Sequence, residues 1–252
     1  MVMSMKTFII RKKFLFSILG IVFVFLVWGI SSNVVNNDII LPKVEDVFVQ
    51  LGVLLSRKKT YYIILNTTGR LLLTVSISLL LSIFLAILSI KSISIRNFLV
   101  VIVSIIKTLP VASIIVILLI IFGGSISTLI ITAFVVFPFQ YEVIYTSFKT
   151  IDRALIDDIL TITNINFTVI KDVYIPIKTP YILSSIISSI GLGFKVMVMA
   201  ELISQPQNTI GKEILYNKEM LEMTNVFAWT LIIVFLVMVI DLVVKRIKVI
   251  QE

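Results

Sequence analysis

The sequence predicts an all-α membrane protein of about six transmembrane helices, and three observations carry that reading. Of its 252 residues 59% are hydrophobic and only 14% charged, whereas soluble globular domains run at about 45–50% apolar and about 25% charged. The mean hydropathy is +1.13. The apolar residues are gathered into successive uncharged runs of about 20, the length an α-helix needs to cross the hydrocarbon core. A large soluble core would not require such runs one after another. The chain has no histidine and no cysteine, which removes disulfides, thiolate chemistry and the commonest metal ligands, so neither a metal nor another cofactor is expected. The formal net charge of +8 suits either nucleic acid or the cytoplasmic face of a membrane protein, and its distribution decides.

Taken in order, the first apolar run covers residues 14–30 behind Arg11, Lys12 and Lys13. That flank resembles a signal peptide, but Ser31, Ser32 and Asn33 follow without a clear cleavage site, so residues 1–35 read as a tail and a retained first helix. Residues 36–70 open near Pro42 and carry Val44, Val47, Phe48, Leu51, Leu54 and Leu55 at helical spacing. They read as an external helix lying along the interface. The core region, 71–252, starts with a second span at 71–90, closed by Lys91 and Arg96. The third, 98–122, is interrupted at Lys107-Thr108-Leu109-Pro110. A Gly123-Gly124-Ser125 turn leads into the fourth, 126–148, which contains Pro138 and Glu142. Residues 149–178 are polar enough to leave the bilayer. The fifth span is 181–200, a polar connector covers 201–224, and the sixth is 226–244. Both Pro110 and Pro138 interrupt local helix hydrogen bonds, which a bundle tolerates where neighbours satisfy the freed carbonyls.

With both termini cytoplasmic, most lysines and arginines fall inside, including Lys149, Arg153, Lys171 and Lys178, while Arg57-Lys58-Lys59 falls outside. The bias favours that orientation, and with it a multi-pass protein of a bacterial plasma membrane whose surface contacts lipid and not nucleic acid. The segment 149–178 then becomes the largest cytoplasmic loop. Within it Ala154, Leu155, Ile159 and Ile162 share one face of a short helix, with Asp152, Asp157 and Asp158 on or near the opposite face. Thr163-Asn164 offers a turn, residues 167–173 form a second short helix, and Pro176 and Pro180 restart the chain into the fifth span. The pattern describes a helix–turn–helix outside the membrane, apolar enough to dock on a partner; an ordinary solvated loop is the alternative.

This loop resembles the so-called EAA loop of binding-protein-dependent ABC importer permeases, whose motif reads Glu-Ala-Ala, three residues, Gly, nine residues, Ile-x-Leu-Pro. The chain has Asp157-Asp158-Ile159, then Thr163, then Val173-Tyr174-Ile175-Pro176 at those spacings. The paired alanines and the turn glycine are replaced; Asn164 is a substitute for the glycine, since Asn tolerates a left-handed backbone. Further positions are similar to the nitrate/sulfonate/taurine-type permeases, a group that also imports pyrimidine thiamine precursors. These are Leu41-Pro42, Thr67-Thr68-Gly69-Arg70, the Lys107–Ala112 stretch, Phe137-Pro138, Glu201 and Ile210-Gly211.

The resemblance implies a type I importer bundle with cytoplasmic coupling helices, acting as a permease homodimer beside an ABC ATPase and an extracellular substrate-binding protein. It assigns ATPase coupling to Leu155, Asp157, Asp158, Ile159, Thr163, Asn164, Phe167, Val173, Ile175 and Pro176. The cargo it suggests is a small organic or inorganic anion, or a pyrimidine. The chain has no G-x-x-x-x-G-K-[ST] sequence to cradle ATP phosphates, so it is expected to be non-catalytic and driven by that partner.

Charges at membrane depth are the other pointers. Lys107, Glu142 and Lys195 each cost at least about 2.5–3.5 kcal/mol there if left unpaired. One reading is a polar translocation path of Lys107, Thr108, Pro110, Ser113, Pro138, Glu142, Lys195 and Glu201. The other is a Lys–Glu pair, or lysines reaching an interface. An intramembrane Ser/His enzyme is impossible without histidine. A channel or secondary transporter without an ATPase is the remaining alternative, and it leaves the loop unexplained.

Overall fold

Some helix ends fall where proline or clustered charge interrupts the apolar runs, as at Arg57 and Leu109-Pro110. The computed structural model describes residues 2–150, 159, 161 and 167–249, and among them all regular structure is helical. The helices are α1 (Val2–Val35), α2 (Val44–Ser56), α3 (Lys58–Lys91), α4 (Ile93–Thr108) and α5 (Val111–Lys149). A short lead-in, Phe167–Val169, and a π-helical turn, Ile170–Tyr174, run into α6 (Ile175–Ser204). The chain closes with α7 (Ile210–Glu219) and α8 (Met223–Val249). Among the described residues five helical segments are long and apolar enough to cross a membrane: Ile18–Val35, Lys58–Lys91, Val111–Lys149, Ile170–Ser204 and Met223–Ile240. Only 6% of the Ile18–Val35 window is buried. An apolar surface of that kind needs lipid or protein around it.

Three boundaries differ from the sequence expectation. Residues 36–70 do not hold a single separate helix: Arg57 is extended (φ −91, ψ 127), so α2 stops at Ser56 and residues 58–70 belong to α3. The reason is a continuous buried stripe, in which Thr60, Ile63, Thr67 and Leu71 succeed one another at helical spacing. Pro176 and Pro180 do not interrupt the chain either. The π turn, with its wider i→i+5 bonding, opens the backbone just ahead of Pro176, and helix continues through Pro180. Third, the connector 201–224 contains a helix, α7, after a left-handed Gln205 (φ 50, ψ 44) ends α6.

The long α5 is folded on itself. Gly123 sits at φ 74, ψ 171, a region open essentially to glycine alone. Ile115 and Ile131 share one apolar cluster with Ala200, whereas 16 positions of straight helix would hold them about 24 Å apart. Arms 111–122 and 124–149 therefore run antiparallel, and α4 is joined to the first arm through the extended pair Leu109-Pro110.

The chain divides into two compact units. Residues 1–58 and 214–232 form the smaller one. There Phe25 packs on Trp28 and Phe48, Trp28 packs on Phe227, and the Trp28 indole N–H donates to the Pro42 carbonyl at 3.0 Å. Residues 59–213 and 233–252 form the larger. In it α3, α5 and α6 pack through small and hydroxyl-bearing side chains, Ser78, Ser82, Thr132, Ser185 and Ser189 among them, which let helix backbones approach closely. A Cβ on Gly193 would lie 2.9 Å from Leu71 Cδ1 and 3.1 Å from Val136 Cγ2.

Gly193→Val is expected to destabilise the protein by about 1–3 kcal/mol through overpacking. Gly69→Ala, with nothing within 4 Å of the new Cβ, is expected to be neutral or to gain up to about 1 kcal/mol of helix propensity. Thermal unfolding in detergent, followed by tryptophan fluorescence, checks both.

Candidate functional site

Two polar sites stand out in the larger unit, at different stretches of α5. The first is built where α6 ends. Glu201 is 0% exposed, and a buried carboxylate must be surrounded by donors. The Thr67 hydroxyl donates to it, 3.1 and 3.2 Å from its two oxygens, and the Gly211 N–H donates to Oε2 at 3.1 Å. Thr67 Oγ1 in turn accepts the Ile210 N–H at 3.0 Å, so one hydroxyl serves both the carboxylate and the start of α7. Gly211 lies so close to Glu201 that a Cβ would meet its side chain and the Leu202 backbone.

One helical turn further along α3, Arg70 donates to Ser125 Oγ at 2.9 Å, to the Ser125 carbonyl at 2.6 Å and to Thr128 Oγ1. Beside them Gly124 admits the Ser204 carbonyl into the space a Cβ would fill. Four segments far apart in sequence, at 67–70, 123–128, 201–204 and 209–211, thus close into one knot. Glu201, expected on the path, is enclosed by its hydrogen-bond partners.

The second site is an ion pair. Lys107, in the last turn of α4, reaches Glu142 on the second arm of α5, with Nζ 2.9 and 2.8 Å from the two carboxylate oxygens. Their side chains are 51% and 49% exposed. Two clefts adjoin the pair. One of about 250 Å³ includes Lys107, Val111, Phe134, Pro138, Glu142 and Leu192 in its lining. The other, about 520 Å³, is lined by Glu142, Thr146, Ser147, Thr150, Lys178 and Tyr181 among others. Thr108, Pro110 and Ser113 are exposed around the break that follows Lys107, and Pro138 is buried at the floor of the smaller cleft. Lys195 is exposed and lines neither cleft. Sequence reasoning missed Lys178, which reads there as an ordinary loop cation. It is buried, with Nζ 3.5 Å from the Thr150 carbonyl and 5.1 Å from the Tyr181 ring centre.

Of the expected coupling residues, Leu155, Asp157, Asp158, Thr163 and Asn164 lie outside the described residues, and Phe167 begins the lead-in helix. Ile159, Val173 and Ile175 pack against the apolar cluster of Ala86, Leu99, Tyr141, Phe148, Val169 and Tyr174. Pro176 is exposed. Phe148 and Tyr174, one on each side of the loop, meet edge-to-face at 6.1 Å. Tyr141 joins the same cluster and shares a 2.8 Å hydrogen bond with Ser89. Among the described residues no group of three or more acidic side chains is placed to hold a metal ion. No protein-family model matches the sequence, and no curated protein matches it.

Thr67→Val should cost about 1–3 kcal/mol, since it leaves the Ile210 N–H without its acceptor and removes a donor from a buried carboxylate. Asn66→Ala, which loses an exposed hydrogen bond to the Asn208 carbonyl, should stay within about 0.5 kcal/mol. Comparing the two unfolding midpoints in detergent tests whether the knot holds this end of the bundle.

Proposed function

We propose that this chain is the permease subunit of a binding-protein-dependent ABC importer in a bacterial plasma membrane. On this reading it has six spans, the two arms of α5 belonging to separate crossings and α4 completing the first of them. It works as a homodimer, receives cargo from an extracellular binding protein and is driven by a separate cytoplasmic ATPase. It performs no chemistry of its own.

One observation carries the reading most. The segment that joins the loop to the bundle is packed and not tethered: Val169, Ile170 and Tyr174 are buried, and the cluster around them draws on α3, α4, α5 and α6. Close-packed apolar contacts have few soft modes, so a push delivered to such a segment moves spans instead of being absorbed. A loop that only linked two helices would not need this anchorage. The EAA-like spacing ends within the same anchored stretch, at Val173-Tyr174-Ile175-Pro176. Asp157 is the residue proposed to pair with a basic or amide group of the ATPase, with Leu155, Ile159 and Phe167 filling an apolar cleft in it.

The exposed charges at membrane depth support a translocation path. Lys107 and Glu142 face clefts and not a packed core, and charges on a lipid-facing surface would be costly at mid-bilayer. The path is therefore assigned to the face bearing Lys107, Thr108, Ser113 and Glu142, shared with the second copy.

The test is uptake together with ATPase association. The parent chain is expected to co-purify with an ABC ATPase, and Asp157→Lys is expected to lower ATP-driven uptake at least about tenfold while membrane insertion is unchanged. Unaltered uptake in that variant, or a parent chain that purifies without an ATPase, overturns the proposal.

A further inference from the structure

The lining residues of the second arm of α5, with its C-cap Thr150, form one stripe. Phe134 and Val135, Pro138 and Phe139, Glu142 and Val143, Thr146 and Ser147, then Thr150 follow one another at intervals of three or four, the spacing of a single helix face. Glu142 is the one residue common to both linings. The clefts are consecutive stretches of one groove, and the Lys107–Glu142 pair sits at their boundary.

We propose that this ion pair is a gate between the two clefts, opened when a small anion replaces the Glu142 carboxylate at Lys107. The inference rests on the permease reading and deepens it, since it names the class of cargo and the residue that selects it. With the pair closed, each Glu142 oxygen lies within 2.9 Å of Lys107 Nζ, so the ammonium's charge is already partnered. Beyond Lys107, residues on the smaller cleft include Ile106, Val111, Phe134, Val135 and Leu192. An anion entering there finds one cation, Lys107, the Glu142 carboxylate it would have to displace, and otherwise apolar walls.

Exposure makes the exchange feasible. Both side chains are about half exposed, at 51% and 49%, and an ion pair in contact with solvent holds only weakly. A competing anion exchanges one charged partner for another, without leaving a bare charge behind. Backbone geometry favours it as well. Lys107 lies in the last turn of α4, whose unpaired carbonyls attract a cation, and helix stops immediately after it at Leu109 and Pro110. Lys107 therefore rides on a helix end that the extended pair leaves free of α5's backbone bonding. Glu142 rides on the continuous arm. The pair can part at the lysine without bending the stripe.

The absence of cysteine from the chain makes the test direct. Single substitutions Val135→Cys, in the smaller cleft, and Thr146→Cys, in the larger, are introduced into the full-length protein in sealed membrane vesicles. Each is reacted with an anionic reagent, 2-sulfonatoethyl methanethiosulfonate, and a cationic one, the 2-trimethylammonioethyl analogue. Both are added from the side that modifies Thr146→Cys. The expected result is a Val135→Cys reaction that is slow and favours the anion in the parent background. Glu142→Gln accelerates the anionic reagent at least about tenfold, Lys107→Ala abolishes the preference for the anion, and Lys107→Arg leaves the slow parent rate. Rates at Val135→Cys that do not respond to Glu142→Gln, or an anion preference that survives Lys107→Ala, overturn the gate and leave the path standing. If neither cysteine reacts from either side in any background, no aqueous path exists and the permease reading falls with the gate.

Discussion

A reversal of direction at Gly123 is the constraint around which the larger unit is arranged. Its backbone, at φ 74 and ψ 171, lies where a side chain would collide with its own peptide group, so the turn costs little only with glycine. Once the two arms are antiparallel, residues at equal distances from the turn meet. That is why Ile115 shares a cluster with Ile131, and why Lys107, beyond the proline break, finds Glu142. The tip of the same turn supplies the Ser125 and Thr128 acceptors that engage Arg70, and the open flank of Gly124 receives the end of α6. Remove the reversal and four separate contacts lose their geometry together.

The larger unit handles charge in two opposite ways. Glu201 is completely enclosed, and the low-dielectric surroundings are tolerable because a hydroxyl and a backbone N–H converge on it. Such a group is immobile: any displacement leaves donors or acceptors unmet, and each unmet group is costly. Lys107 and Glu142 are half exposed, bonded chiefly to each other, and bordered by space. The first arrangement holds helices in place; the second leaves a charge available. Within one bundle, burial separates a fixed end from a responsive stretch.

Much of this was legible in the sequence, and the misses have physical causes. Span positions followed from apolar runs, and the break at Pro110 and the turn at Gly123-Gly124 followed from residues whose backbone preferences are strong enough to override context. The divide at Arg57 was not legible, because residues 58–70 mix tyrosine, lysine and threonine with leucine and isoleucine, and what makes them helical is packing of Thr60, Ile63 and Thr67 on other helices. Helix α7 was hidden by its polarity. Glu201 was expected on a path; its enclosure depends on Thr67 and Gly211, whose proximity no local pattern encodes. The Lys107–Glu142 pair was left among several pairings, since one sequence fixes distances along a helix but not between helices. A hairpin centred on Gly123 was the one clue that could have singled it out.

The π-helical turn at Ile170–Tyr174 has a geometric consequence for the loop it follows. Val169 and Tyr174 are five positions apart and both buried; α-helical winding would set them about 140° apart around the axis, at about 100° per residue, whereas i→i+5 winding brings them to one side. The extra residue in that turn therefore acts as an angular offset between the lead-in Phe167–Val169 and α6. Loss or gain of a single codon there would swing that lead-in by roughly 100° about the helix axis. Its bearing is adjustable by the smallest in-frame change available to a gene.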